Sequence, residues 1–294
     1  MADGTRPDSV HVTYRRMHFD FEKTGFARHW HAGSPAISFF WDALSTAFPP
    51  GEKFFIDSAR ALRELTDDKE LREEIAEFCR QEGHHTFQHI KFNRMVGEQG
   101  FDVAKYEGRF AAVLDRTRSK ADPMDMLAIT MALEHFTAGF AEQYLDNAQV
   151  TEGADPNVVA LWAWHAAEEA EHKATCYDLY QRLGGGYVRR VSVMPWAWLL
   201  LLGITMRNLY DMLEEDGQRT NLRDLGRLGN YLLGRQGLVT RMAPSFLAYF
   251  RPSYHPWNTD DSGLIQRWLR SNARYIESSA DKPDAKRGAA VSAA

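Results

Sequence analysis

Residues 158–180 read VVALWAWHAAEEAEHKATCYDLY. Apolar and aromatic runs bracket a stretch, His165–Lys173, that holds histidine, glutamate and lysine among its alanines. At about 100° per residue, His165, Glu169 and His172 fall on one stripe of a helix, while Glu168 and Glu171 project to its side. A charged run usually coats a solvated helix face, yet these flanks predict a helix that is buried. The Glu169-x-x-His172 spacing is the one by which a helix inside a bundle presents two side chains to a metal pair.

A second stretch repeats the pattern. RQEGHHTFQHIKFN (80–93) holds Glu82-x-x-His85, with His89 one turn further on the same face and His84 turned away. One Glu-x-x-His is common by chance; two in separate long helices form a far more specific signal.

The surrounding chain predicts an all-α fold, with no run alternating well enough to be a strand. Prolines at 49 and 50 should break or kink the helix that begins near Ser34. Asp67 and Glu70 suggest a capping box before LREEIAEFCRQ. Asp122-Pro123 and Asp155-Pro156 each read as an N-cap with proline at N1, starting helices of about 27 residues. The second of these should end at Gly184–Gly186. The expected organisation is an N-terminal arm over 1–33, a four-helix bundle over 34–186, a C-terminal helical extension over 187–277, and a disordered tail from Ser278.

Composition narrows the partners. The chain has 294 residues and a net charge of −5, without a basic stripe, so nucleic acid is not expected. Cys79 and Cys176 suggest packed thiols rather than a disulfide framework. The first residues contain no apolar leader segment, which predicts a cytoplasmic protein. Residues 191–206, VSVMPWAWLLLLGITM, carry no charge. They fall short of the ~20 residues of a membrane span, and Pro195 should interrupt them. They predict a helix packed on the bundle or resting at a membrane surface as a peripheral contact.

A metal centre needs ligands from the other two bundle helices. Glu134 in TMALEHFTAGF and Glu52 in FPPGEKFF lie among apolar residues, where lone carboxylates are costly to bury. Four glutamates balance two divalent cations, which makes burial tolerable. Taken singly, each residue also has an ordinary reading. Glu52 suits a first helical turn, Glu134 a polar seam between helices, and His89 a satisfied core position. The order Glu52, Glu82-x-x-His85, Glu134, Glu169-x-x-His172 resembles that of the ferritin-like di-iron carboxylate proteins. FPPGEKFF, QEGHHTFQH, LEHFTAG, WHAAEEAEHK and YFRPSYHPW together resemble the bacterial family of predicted metal-dependent hydrolases, over roughly residues 20–275. His165, four residues before Glu169, is similar to the extra ligand of the p-aminobenzoate N-oxygenases.

These resemblances imply a seven-ligand centre of Glu52, Glu82, His85, Glu134, His165, Glu169 and His172. Behind it would stand His89, orienting Glu82 or its metal, and Glu168. The implied cofactor is two iron ions, or manganese, since carboxylates and imidazoles suit those metals. The implied activity is an O2-activating oxidase or oxygenase acting on a small hydrophobic or amine substrate, with an electron donor the sequence does not specify. The alternative is a metal-dependent hydrolase using a metal-bridging hydroxide, and a third class is a metal-storing bundle without turnover. Phe54, Phe55, Phe136, Trp162 and Trp164 predict apolar surroundings, as core more than as pocket.

Overall fold

The computed structural model describes residues 4–280, and among these the regular structure is helical. In chain order the α-helices are α1 Phe21–Thr24, α2 Pro35–Ser45, α3 Phe48–Arg63, α4 Lys69–Glu98, α5 Val103–Arg118 and α6 Pro123–Asp146. They continue with α7 Pro156–His172, α8 Thr175–Arg182, α9 Tyr187–Glu215, α10 Leu222–Leu233, α11 Leu238–Ala248 and α12 Ser262–Ala280. Helices α3, α4, α6 and α7 with its continuation α8 form the central bundle, α3 packing on α4 and α6 on α7. Helices α9, α10 and α11 form an outer layer over α2 and α6, and α12 lies against α6 and α7.

Capping chemistry sets most boundaries. Asp122 and Asp155 accept hydrogen bonds from the backbone N–H groups of Asp125 and of Asn157, with proline in the first turn of each helix. Ser34 caps α2 in the same way. The double proline separates α2 from α3 and then sits in the first turn of α3, where a missing N–H costs nothing. Gly184 takes a left-handed φ of 76° after α8, and a Cβ at Gly185 would lie 2.1 Å from the Tyr180 ring. Both positions need glycine to turn the chain out of the bundle.

The structure corrects several expectations. Asp68, not Asp67, caps α4 through the Leu71 N–H, and no reciprocal bond from Glu70 forms. The helix from Pro156 is not continuous to Gly184. It breaks after His172, where Lys173 leaves the bundle axis to bond Asp261 and the Thr259 carbonyl. Pro195 does not interrupt α9, which runs unbroken for 29 residues. Proline removes one hydrogen bond there, but the stripe from Arg190 and Met194 through Ala197, Leu201 and Thr205 is buried on both sides of it and holds the helix straight through. The segment expected to be a tail is helical as far as Ala280, and residues 281–294 lie outside the described residues.

The N-terminal arm is part of the core. Met17, Phe19, Phe21 and Trp30 are buried, and Gln88 of α4 donates to the Met17 carbonyl at 2.8 Å. Trp30 donates its indole N–H to Asp42, whose other oxygen has no partner. Burial pushes the Asp42 carboxyl up to about 8, with Trp30 pulling the other way. A carboxyl raised above its unfolded value contributes stability below that value and loses it as pH rises through the folded one. Asp42→Asn should therefore gain on the wild type between pH 4 and 8, by up to about 1.4 kcal/mol per pH unit. Denaturant unfolding at pH 5 and pH 8 measures this. An equal difference at both pH values would refute it.

Candidate metal centre

The four bundle helices bring all seven expected side chains to one buried place. Glu52 comes from α3, Glu82 and His85 from α4, Glu134 from α6, and His165, Glu169 and His172 from α7. Residues four and three apart on α7 face the same way because the helix repeats every 3.6 residues. His172 Nε2 lies 3.1 Å from Glu82, 3.2 Å from Glu134 and 3.5 Å from Glu169. At the other end, His165 Nε2 lies 2.9 Å from Glu169 and 3.8 Å from Glu52, and His85 Nδ1 lies 3.7 Å from Glu169.

Hydrogen bonds fix which nitrogens carry protons. His172 Nδ1 faces the Gln81 side-chain oxygen at 3.0 Å, so it donates there and Nε2 is the nitrogen presented to three carboxylates. His85 Nε2 faces Glu168 at 3.1 Å, so it donates outward and leaves Nδ1 bare. His165 is set by a longer chain. Asn93 donates to Glu107 and to the Ser45 carbonyl, so its amide oxygen is the end that accepts the Ser45 hydroxyl proton at 2.6 Å. Ser45 then accepts from His89 Nδ1 at 2.8 Å, and His89 Nε2 accepts from His165 Nδ1 at 2.7 Å. His165 Nε2 is left as a lone pair aimed at Glu169.

Lone pairs facing carboxylate oxygens repel unless a cation lies among them. Eight buried atoms without a hydrogen-bond partner gather at this one place: Glu52 Oε1, both oxygens of Glu82 and of Glu134, His85 Nδ1, Glu169 Oε2 and His172 Nε2. Buried polar atoms are satisfied in folded proteins with few exceptions, so this concentration of orphans fits divalent metal ions. Donor atoms of Glu52, Glu82 and His85 lie within 4.8 Å of one another, as do those of Glu82, Glu169 and His172, and those of His85, His165 and Glu169. Glu82, His85 and Glu169 each belong to two of these groups. A further group of Glu52, His89 and His165 meets the same distance, but Ser45 and His165 already engage both His89 nitrogens.

Electrostatics report the same strain. Burial and the neighbouring carboxylates hold Glu52 and Glu82 well above the usual range, and burial pushes Glu134 up to about 7. Burial would lower His172, but Glu134 and Glu169 outweigh it and hold its pKa well above the ordinary value. In the metal-free protein, protons take the place of cations.

His89 backs His165 across the core and does not touch Glu82, as the sequence expectation had it, because α4 turns it toward α2 and α7. Glu168 faces His85 Nε2. Arg15 had no sequence signal. The arm lays it across the bundle, bidentate to Glu171 at 2.7 Å through both terminal nitrogens and 3.5 Å from Glu168. Glu171 is thus an arm anchor. Arg15→Ala would leave Glu171 and Glu168 buried without their cation, and should cost about 3–5 kcal/mol of stability. Chemical denaturation reads this loss, and a change below about 1 kcal/mol would show the arm to be dispensable.

Beside Glu52, His165 and Glu169 lies a narrow cavity whose water-accessible core is about 40 Å3. Its walls include Trp41, Phe48, Phe55, Phe136, Phe140 and Trp162, with Leu201 of α9. Of the aromatics noted in the sequence, Phe55, Phe136 and Trp162 line it, while Phe54 and Trp164 are fully buried core.

A family model described as "predicted metal-dependent hydrolase" matches residues 13–260. The chain belongs to that family. The match runs from the arm through the bundle and the outer layer, so the metal centre and its cavity lie wholly inside it. No curated protein and no solved structure matches the chain.

Proposed function

We propose that this family member is an enzyme that holds two divalent metal ions and acts on an apolar substrate seated in the adjoining cavity. The single observation that carries this reading is the set of orphaned, cation-seeking donor atoms at the end of a carbon-lined cavity. In this reading Glu52, Glu82, His85, Glu134, His165, Glu169 and His172 would hold the two ions. When bound, such ions act as Lewis acids and can activate water or dioxygen.

Hydrolysis is the reaction that the family description supports. The chain's own contribution would be to bind the apolar part of an ester or amide against Phe48, Phe136 and Trp162, and to direct the scissile group toward Glu52 and Glu169. The aromatic walls exclude bulk water, so the water consumed would be the one held at the carboxylates. A second reading, oxidation of the substrate by O2 at two iron ions, is favoured by the nature of the walls. Away from Glu52, His165 and Glu169, the uncharged polar groups of the lining residues are the Thr137 and Tyr144 hydroxyls and the Trp41 and Trp162 indole N–H groups, and the rest of the wall is carbon. An apolar molecule and O2 both partition into such a space. In both readings His89 and Ser45 keep His165 Nε2 deprotonated, and Glu168 does the same for His85 Nδ1.

Elemental analysis of purified protein, followed by paired assays, tests the proposal. Hydrolysis predicts turnover of apolar p-nitrophenyl esters by the metal-loaded protein without oxygen uptake. Oxidation predicts oxygen uptake by the reduced iron form. Protein that retains no transition metal at these residues would sink both readings.

A further inference from the structure

Apart from Arg207 and Arg219 at Tyr210, no described residue covers the outer face of α9. Val188, Ser192, Trp196, Leu199, Gly203, Met206 and Tyr210 recur every three or four residues and are all exposed, Trp196 at 76% and Leu199 at 64%. At 1.5 Å per residue this stripe is about 33 Å long. A large apolar stripe facing water marks an interaction surface, and the helix is long and apolar enough by composition to cross a membrane. It does not stand alone as a span, because its opposite face packs on α2 and α6 and buries Arg190 and Asp211. The geometry suits a helix lying in an interface plane with one side in the protein.

Charge indicates what covers it. Residues 187–253 contain nine arginines and no lysine against five acidic residues, a net charge of 9 − 5 = +4, whereas the whole chain carries −5. All five acids are paired: Asp211 with Lys105, Arg109 and Arg207, Glu214 with Arg219, Glu215 with Lys105, Asp216 with Arg28 and His29, and Asp224 with Arg227 and the start of α2. Arg207, Arg219 and Arg227 answer those acids, while Arg223, Arg235 and Arg251 are exposed with no acidic partner among the described residues. Two copies of this face brought together would oppose arginine to arginine. An anionic lipid surface would complement both the arginines and the apolar stripe.

The same helix is a wall of the cavity. Leu201 lines it, and Trp198 packs its ring 4.8 Å from Phe136, another lining residue, and 4.4 Å from Phe246 of α11. One helix thickness separates the exposed stripe from the space beside the metal centre.

We propose that the α9 stripe docks this protein peripherally on an anionic bilayer, and that the cavity draws a hydrocarbon-bearing substrate from that bilayer past α9. The second clause rests on the cavity being the substrate site; the first does not.

Co-sedimentation of the full chain with vesicles tests the docking. Vesicles of phosphatidylcholine with about one-third phosphatidylglycerol should retain the protein at low salt, with a blue shift of tryptophan emission, and pure phosphatidylcholine vesicles should retain far less. The double substitution Trp196→Ser and Leu199→Ser should lower retention about tenfold while leaving metal content and circular dichroism unchanged. Glu169→Ala, aimed at the metal centre, should bind vesicles like the wild type, so failure of the enzymatic reading is told apart from failure of docking. The proposal is overturned if the wild type ignores anionic vesicles or if the double variant binds them equally well. It is overturned too if sedimentation velocity finds a dimer that the double variant dissociates, since a second copy would then cover the stripe.

Discussion

Metal-free protein should gain on the order of 10–20 °C in melting temperature when Mn(II), or Fe(II) without oxygen, is added in large excess, and should gain more at pH 8 than at pH 6. Each ion present at a thousandfold excess over its Kd contributes about 4 kcal/mol, and about 2 °C accompanies each kcal/mol at this chain length. The pH dependence follows from the buried carboxyls. Glu134 is raised to about 7 and Glu52 and Glu82 stand well above their ordinary value. Such groups stabilise the fold fully below their unfolded values and lose that contribution as pH rises through the folded ones. Metal-free protein therefore weakens from pH 5 upward through 7 and beyond, where it must bury carboxylates without protons. Metal ions displace those protons, so binding releases them and tightens as pH rises. Scanning calorimetry with and without chelator at both pH values decides the matter. A metal-independent melt, or equal gains at the two pH values, would contradict a cation site at these glutamates.

The second large effect separates two neighbouring histidines. His165→Ala should lose about one of the two ions, because His165 Nε2 is the bare nitrogen beside Glu52 and Glu169. His89→Ala should retain both ions and weaken affinity by about 10–100-fold, the usual scale for a group that orients a ligand from behind. In that variant the His165 Nδ1 proton loses its acceptor, and the imidazole is free to flip or change tautomer. Titration with metal, followed by elemental analysis of the desalted protein, reads both outcomes. A metal-free His89→Ala beside a fully loaded His165→Ala would reverse the two roles.

Much of this was legible along the chain. The two Glu-x-x-His stripes, and Glu52 and Glu134 among apolar residues, are consequences of helical periodicity and of the cost of burying charge. Both act over a few residues and need no tertiary context. The Asp-Pro pairs at 122 and 155 marked helix starts for the same local reason. The break after His172 was not legible, because it depends on Asp261 and Thr259, nearly 90 residues away. Nor was the cap at Asp68, where two adjacent aspartates compete and the packing of α4 on α3 chooses between them.

What the sequence by itself determined is the all-α class and which side chains could face a common axis, because spacing along a helix sets direction. Which nitrogen of His85, His165 and His172 is presented to the carboxylates, that His89 serves His165 rather than Glu82, that Arg15 reaches Glu171, and that one wall of the cavity belongs to α9 were decided only by the tertiary structure. Hydrogen-bond direction and cavity shape depend on the meeting of segments 44 to 156 residues apart, and no local periodicity encodes such a meeting.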